Sequence, residues 1–477
     1  MKLRFSISLI LTALTCCLYV SCSNPDLYSD MGEKPRIVVL TDIAPGNIEP
    51  DDMESMIRLM AHADLFEIEG IICSGGWNSS DSSYPAGWMD SLRVTVAAYG
   101  KDLPNLMKRS GQTDFMSLEQ ESERQNIGYW PSPEYIRSRS MLGSLDLGQK
   151  WIGEDNRTAG SNHIISLADE ADERPIWILA WGGANTFAQA IWQVEQERTP
   201  QEVKAFLNKF RVYTITDQDV PWRERHTNYP YSSHQRMRRD FAGDLIFIWD
   251  ESAWLSQNAI GSSNWSEYAE HIQGHGNLGS IYPQYKWGVE GDTPSYLHVL
   301  PNGLHDPSVP GMAGWGGFSR WEMGMDGETM CYTNHSGETK DISQKYEHYF
   351  YPAIFNNFAA RMDWAASGQG NRNPIVVVEG VKGLDMISMT VSAGSVASLE
   401  SKGTFDPDGD DMTYKWWVMP ESGTYDGDVN IDDADSASAD VNIPADAAGS
   451  VIHIICEVTD NGIPALTSYR RVIMNVI

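Results

Sequence analysis

The chain has 477 residues, more than one hydrophobic core usually supports, so a large domain with at least one smaller companion is expected. Its formal net charge of -30 repels phosphate backbones and anionic headgroups, and no Lys/Arg-rich run offsets it, which argues against nucleic acid or a membrane surface as partner. An acidic surface suits a secreted protein that handles solutes or holds divalent cations, although excess Asp and Glu also simply solubilise.

Residues 1–22 read as an export signal, with Lys2 and Arg4 ahead of an apolar stretch over 7–20 and then Ser21-Cys22-Ser23-Asn24. Cys22 resembles the lipidated cysteine of a bacterial lipoprotein. That reading puts the mature protein outside the cytoplasm, at the outer membrane or cell surface, touching the membrane only through a lipid anchor. Cleavage without lipid, giving a periplasmic or secreted protein, is the alternative, and Cys16 and Cys17 are rival positions. Residues 23–34 follow as a linker. Cys73, Cys331 and Cys456 are too scattered for a disulfide framework or a zinc spacing and read as buried free thiols. No later segment approaches the roughly 20 apolar residues a membrane span requires.

Over 35–370, short apolar runs alternate with amphipathic stretches, the pattern of a mostly parallel open sheet with helices on both faces. Strands are predicted over 36–40, 68–73, 176–180, 210–216 and 245–249, and a helix over 53–62. Polar residues and glycines follow each strand at once, where open α/β sheets place ligands. The irregular stretches 78–88, 129–155 and 282–317 are rich in Gly, Pro, Ser and Trp and can serve as walls or lids, or as plain surface excursions. Trp77, Trp88, Trp130, Trp181, Trp222, Trp287 and Trp315 lie in or beside them, able to stack on sugars or simply to pack. Residues 368–374 look like a linker, and 371–477 alternate strand-like segments with Asp/Gly/Pro turns, as in an immunoglobulin-like β-sandwich.

The chemistry concentrates after the first strand. Thr41-Asp42 ends it, and Glu49-Pro50-Asp51-Asp52 opens the next helix, with Pro and Gly in the loop between. Carboxylates folded together repel unless a cation neutralises them, and oxygen-only ligands suit Ca²⁺ or Mg²⁺. The alternative is that Asp51 and Asp52 merely cap the helix. Asp217-Gln218-Asp219 follows the 210–216 strand and either lines a site or forms a turn. In the C-terminal part, Phe405-Asp406-Pro407-Asp408-Gly409-Asp410 is either a Ca²⁺ loop like those of cadherin-like and polycystic-kidney-type sandwiches or an acidic turn. Trp416 and Trp417 could form a carbohydrate platform, but neighbours on a strand point to opposite faces.

The 42–52 segment resembles the opening Asp-x-Asp-x-Gly-x-Asp-Asp motif of the nucleoside hydrolases, with Leu40 in place of the first acid and a longer loop. The resemblance implies that Asp42 binds calcium and serves as general base, Asp51 holds a sugar hydroxyl and Asp52 is a second calcium ligand. Gly70–Asn78 is similar to the family's second strand and its sugar-binding asparagine, here Asn78. Trp181-Gly-Gly-Ala-Asn185 resembles a segment whose backbone contributes to the metal, which implies Asn185. Gly303-Leu-His305-Asp306 resembles the late His-Asp, implying Asp306 as calcium ligand and His305 as the acid facing the leaving group. Thr41 to Ile43, Glu49 to Asp52, Trp181 to Thr186 and Asp217 to Asp219 are shared with an exported branch of that family often labelled cellulose-binding, which adds Glu49 and Gln218 as substrate contacts. The activity implied is calcium-dependent hydrolysis of a glycosidic bond in a carbohydrate. The alternatives are an exported nucleoside hydrolase and a noncatalytic carbohydrate-binding protein with a structural metal.

Overall fold

The computed structural model describes residues 31–44, 49–77, 87–225 and 227–477. The export signal with Cys22, and Asn78, lie outside the described residues. An eight-stranded sheet runs through the first domain: β1 (Arg36–Thr41), β2 (Glu67–Cys73), β3 (Ser140–Leu142), β4 (Ile176–Ala180), β5 (Phe210–Ile215), β6 (Ile246–Asp250), β7 (Arg320–Met323) and β8 (Met330–Thr333). Their order is β3-β2-β1-β4-β5-β6-β8-β7, parallel except for the β7–β8 pair. β1, β2 and β4 are buried along their whole length, because helices cover both faces; their middles and ends are mostly apolar, and the charged Arg36, Glu67 and Glu69 stand at the strand starts. Alternation divides them between two cores: Ile37, Val39 and Ile71 face one, Val38, Leu40 and Ile72 the other.

The chain proceeds from β1 outward through β2 to β3, then returns to place β4 on the other side of β1. The order reverses there, so a crevice opens beyond the carboxyl ends of β1 and β4. The Pro50–Ala61 helix begins at that crevice, with Pro50 in its first turn and Asp51 and Asp52 beside it. Two stretches expected to be irregular contain structure: Pro133–Ser138 is a helix ahead of β3, and Thr293–Leu297 is a helix inside the 282–317 stretch. The three free cysteines are buried.

The C-terminal part comprises β9 (Val377–Val378), β10 (Val381–Lys382), β11 (Ile387–Val391), β12 (Val396–Glu400), β13 (Met412–Val418), β14 (Asn430–Asp432), β15 (Ser438–Asn442), β16 (Val451–Asp460) and β17 (Thr467–Val476). The sheets β11-β17-β16-β13 and β12-β15-β14 close over Leu399, Trp416, Val441, Ile454 and Val472, a two-layer sandwich. Trp416 is 2% exposed in that core; Trp417 stacks on Tyr346 of the long Gly337–Ser367 helix, so the pair forms no platform.

The 368–374 stretch is no free tether. Gly368 takes a left-handed φ of 66° to end the long helix, as a glycine readily does. The Asn371 amide donates to Asp460 at 2.8 Å, Arg372 pairs with Asp408 at 2.8 Å, and Asn373 donates to the Thr467 carbonyl at 3.0 Å. Arg109 of the first domain also binds Asp408, at 2.6 Å, which ties that carboxylate to two guanidinium groups rather than leaving it for a cation. Asp406 accepts from the Asp408 and Asp410 amides at 2.7 and 3.1 Å, the geometry of an acidic turn.

Candidate functional site

Asp42 follows β1 directly, and its carboxylate fills a slot that only glycines permit. A Cβ on Gly76, just past β2, would lie 2.1 Å from Asp42 Oδ2, and one on Gly182, just past β4, would lie 2.9 Å from Oδ1. The Thr41 hydroxyl donates to Asp52 and accepts from the Ile43 amide at 3.1 Å, binding the strand end to the first helical turn. Glu49, the residue preceding the helix, makes no side-chain cap. Carboxylate oxygens of Glu49, Asp51 and Asp52 instead lie within 4.8 Å of one another.

Beside Asp42 and this trio stands Asp292, which motif reading did not single out. It couples electrostatically to Asp52, Asp51 and Asp42, and its Oδ2 is secluded with no hydrogen-bond partner, as is Asp51 Oδ1. Burial first, and mutual repulsion second, push these acids up: Asp52 to about 8, Asp42 and Asp292 well above the usual carboxylate range. Asp51 rises to about 6, chiefly from burial. A carboxylate cluster that cannot ionise together in a dry site is the electrostatic complement of a multivalent cation.

Two non-glycine residues with positive φ flank this floor, Thr216 at 54° and Glu290 at 56°. Such backbone costs on the order of 1–3 kcal/mol and survives only where the surroundings impose it. Around Glu290 they do: Arg58 at 2.6 Å, the Tyr282 hydroxyl at 3.0 Å and a bond from its own amide to Glu54 at 2.7 Å hold it, and Gly291-Asp292 follow. Thr216 donates to Glu251 at 2.5 Å and leads into Asp217-Gln218-Asp219. There the aspartates are scaffold: Asp217 takes the Ser232 hydroxyl at 2.8 Å and Arg238 at 3.2 Å, and Asp219 takes the Gly148 amide at 2.8 Å. Gln218 turns the other way, donating to the Trp181 carbonyl and lining the cavity.

That cavity, about 640 Å³, opens above the acids, with Glu49, Asp51, Asp52 and Asp292 at its floor and tryptophans on its wall. Asn185, the first residue of the Asn185–Glu197 helix, is fully buried. Its amide nitrogen donates to Ser144 Oγ at 3.0 Å, and its Oδ1 has no hydrogen-bond partner.

His305 and Asp306 are not brought here. They line a separate cavity with Arg36 and Trp177, at the opposite end of β1 and β4. His305 Nε2 is 2.8 Å from the His298 carbonyl, and burial, with His298 and Arg471 nearby, holds its pKa well below 6.5, so it is a neutral packing group rather than a proton donor. Asp306 Oδ1 accepts from the Ser308 amide at 2.8 Å, a local turn. The reason is domain docking. Gly303, with φ 80°, lies so close to the Tyr469 carbonyl that a Cβ would sit 2.3 Å from it, and the Arg471 amide donates to the Gly303 carbonyl at 3.1 Å. The segment that resembles a late catalytic motif is therefore the seat of the sandwich.

Residues 36–318 match the family model described as cellulose-binding Sde182, nucleoside hydrolase-like domain, and residues 396–476 match that of the cellulose-binding protein Sde0182, C-terminal domain. Among solved structures, a nucleoside hydrolase-related hypothetical protein from Saccharophagus degradans, described as associated with carbohydrate metabolism, is 34% identical. It aligns over 93% of this chain and 100% of its own, with a TM-score of 0.75. A PKD domain and mouse cadherin-23 repeats align at 18% identity over 19% and 22% of this chain and 80% and 33% of theirs, with TM-scores of 0.15 and 0.17. No curated protein matches the chain.

Proposed function

We propose that this chain, which belongs to the family of cellulose-binding, nucleoside hydrolase-like proteins, hydrolyses glycosidic bonds in a carbohydrate outside the cytoplasm with the help of a calcium ion. The observation that carries this reading is the meeting of Asp42, Asp51, Asp52 and Asp292 beneath an open, tryptophan-walled cavity. The donor set fits a hard divalent cation, being all oxygen, largely buried, and furnished with unsatisfied atoms on Asp292 and Asp51. Asp42, Asp52 and Asp292 would hold it, and the ion when bound supplies Lewis acidity that lowers the pKa of an attacking water.

The chain's own residues do the rest. Asp42, fixed between Gly76 and Gly182, takes the proton of the attacking water at its carboxylate. Asp51 and Gln218 orient sugar hydroxyls at the floor while positive charge develops at the anomeric carbon. A departing sugar alcohol needs a proton, and with His305 at the far end of the sheet that role passes to Glu49, the half-buried carboxyl of the cavity floor. Attack by water in one displacement inverts the anomeric centre.

The family's description favours a second reading, a carbohydrate-binding protein that keeps the metal as structure. Incubation of the purified protein with oligosaccharide and nucleoside panels, with calcium or with chelator, separates the two. Reducing sugar formed with calcium and abolished by Asp42→Asn supports hydrolysis. Retention of glycan without product under every condition supports the binding protein, and free base from a nucleoside moves the assignment to a nucleosidase.

A further inference from the structure

We infer that the cavity binds an oligosaccharide across at least two sugar units, one over the carboxylate floor and the next against a tryptophan platform at the mouth. This inference rests on the floor being the reacting end. Trp77, Trp222, Trp254 and Trp287 all line the cavity, and they are graded by depth. Trp77 is half-buried and meets Trp222 edge to face at a centroid distance of 4.4 Å and Trp254 at 6.3 Å. Trp222 and Trp287 are 46% and 66% exposed. Leaving two indoles in water at one cavity mouth forfeits the burial that tryptophan side chains normally provide, which points to an apolar surface arriving from solution.

Both mouth indoles are also braced. The Arg225 guanidinium lies 3.6 Å from the Trp222 ring centroid, and the Lys286 ammonium 4.4 Å from that of Trp287. A cation on a ring face restrains its tilt, so less freedom is lost when a ligand stacks elsewhere on the ring. Between floor and mouth, the indole nitrogens of Trp77 and Trp254 and the side-chain oxygen of Asn258 are secluded from solvent without hydrogen-bond partners. Two donors and one acceptor, set in an apolar wall, match hydroxyl groups, which both give and take hydrogen bonds. Asn258 Oδ1 and Asp51 Oδ2 would each lie 3.1 Å from a Cβ on Gly291, so the polar set is continuous with the floor. A nucleobase gains from complete enclosure, whereas a mouth whose platforms stay open to water suits a chain that continues outward.

Calorimetry and intrinsic tryptophan fluorescence on the full chain carrying Asp42→Asn, in chelator, test this without turnover. The ligands are one-, two- and four-unit series of β-linked glucose, mannose and xylose, with adenosine alongside. One series should bind at least 10-fold tighter at two units than at one, with a change in indole emission. Trp222→Ala and Trp287→Ala should each cost 5–10-fold in the two-unit affinity, and Trp222→Phe should restore most of it. Equal affinity at all lengths, no binding by any series, unchanged affinity in both alanine variants, or adenosine binding tighter than every disaccharide overturns the inference. Length-dependent binding with no product from the wild-type chain removes the hydrolase reading and leaves the second subsite. Release of nitrophenol from nitrophenyl monosaccharides without length-dependent binding does the reverse.

Discussion

The two ends of the parallel sheet treat buried charge in opposite ways. At the strand starts the buried acids Glu69, Glu67 and Asp64 each have a guanidinium: Arg36 meets Glu69 at 2.6 Å and also Glu170, Arg174 meets Glu67 at 3.0 Å and Asp172 at 2.5 Å, and Arg361 meets Asp64 at 2.5 Å. At the strand ends Asp52 and Asp292 are as deeply buried, yet their strongest neighbours are other acids, and among the described residues neither forms an ion pair with Lys or Arg. One end is neutralised from within and serves the fold. The other gathers acids without a basic partner, the arrangement a cation-binding site requires and a salt-bridge network of similar burial does not.

The contrast can be broken first at the neutralised end. Arg36→Ala leaves Glu69 in the protein interior with only the more distant Arg139, at 3.8 Å, and should cost about 3 kcal/mol of stability in denaturant titrations, with calcium affinity of the folded fraction unchanged. Next comes His234, whose Nε2 accepts the Ala184 amide at 2.8 Å beside the site and whose burial lowers its pKa from 6.5 to about 4. Between those values the unfolded chain holds more protons at this position, so the contribution of His234 to stability should fall as pH drops from 6.5 toward 4, by at most about 3 kcal/mol, seen as a difference in slope between the wild-type chain and His234→Gln. At the open end, Asp292→Asn should weaken calcium binding at least 100-fold by calorimetry while raising the melting temperature in chelator, because it removes repulsion that no side chain offsets. The smallest effect belongs to His305→Asn, which should alter calcium or sugar affinity less than two-fold; a larger loss would return that residue to the site.

Much of this was legible from residue order. Strands β1, β2, β4, β5 and β6 announce themselves because burial on both faces demands mostly apolar runs, and Asp42, Glu49, Asp51, Asp52 and Gln218 gather at the crevice that a strand-end acid and a following helix suggest. β3 and the β7–β8 pair escaped: three or four residues with partial exposure carry no run to detect. Asp292 escaped for another reason. Its position depends on Arg58, 234 residues earlier in the chain, clamping Glu290 into a left-handed turn, a contact with no local signature. Glu290-Gly291-Asp292-Thr293-Pro294, an acid beside the glycine of a tight approach and just ahead of a helix, was the available hint. His305-Asp306 drew attention by resembling a motif, whereas the glycine before it answers to a strand in the other domain.

That seam decides how the molecule behaves as an object. Trp315, Met419, Ile455 and Tyr469 belong to one continuous apolar core, and Arg471 reaches from β17 to the carbonyls of Leu304 and Ala313. The sandwich is therefore a keystone rather than a trailer. Calorimetry on the whole chain should show one cooperative transition, and excision after the long helix should leave an insoluble remnant with an apolar scar. Such a piece cannot be shuffled freely between proteins, so the two parts should be inherited together, and any ligand gripped by the sandwich is presented to the larger domain at a fixed angle.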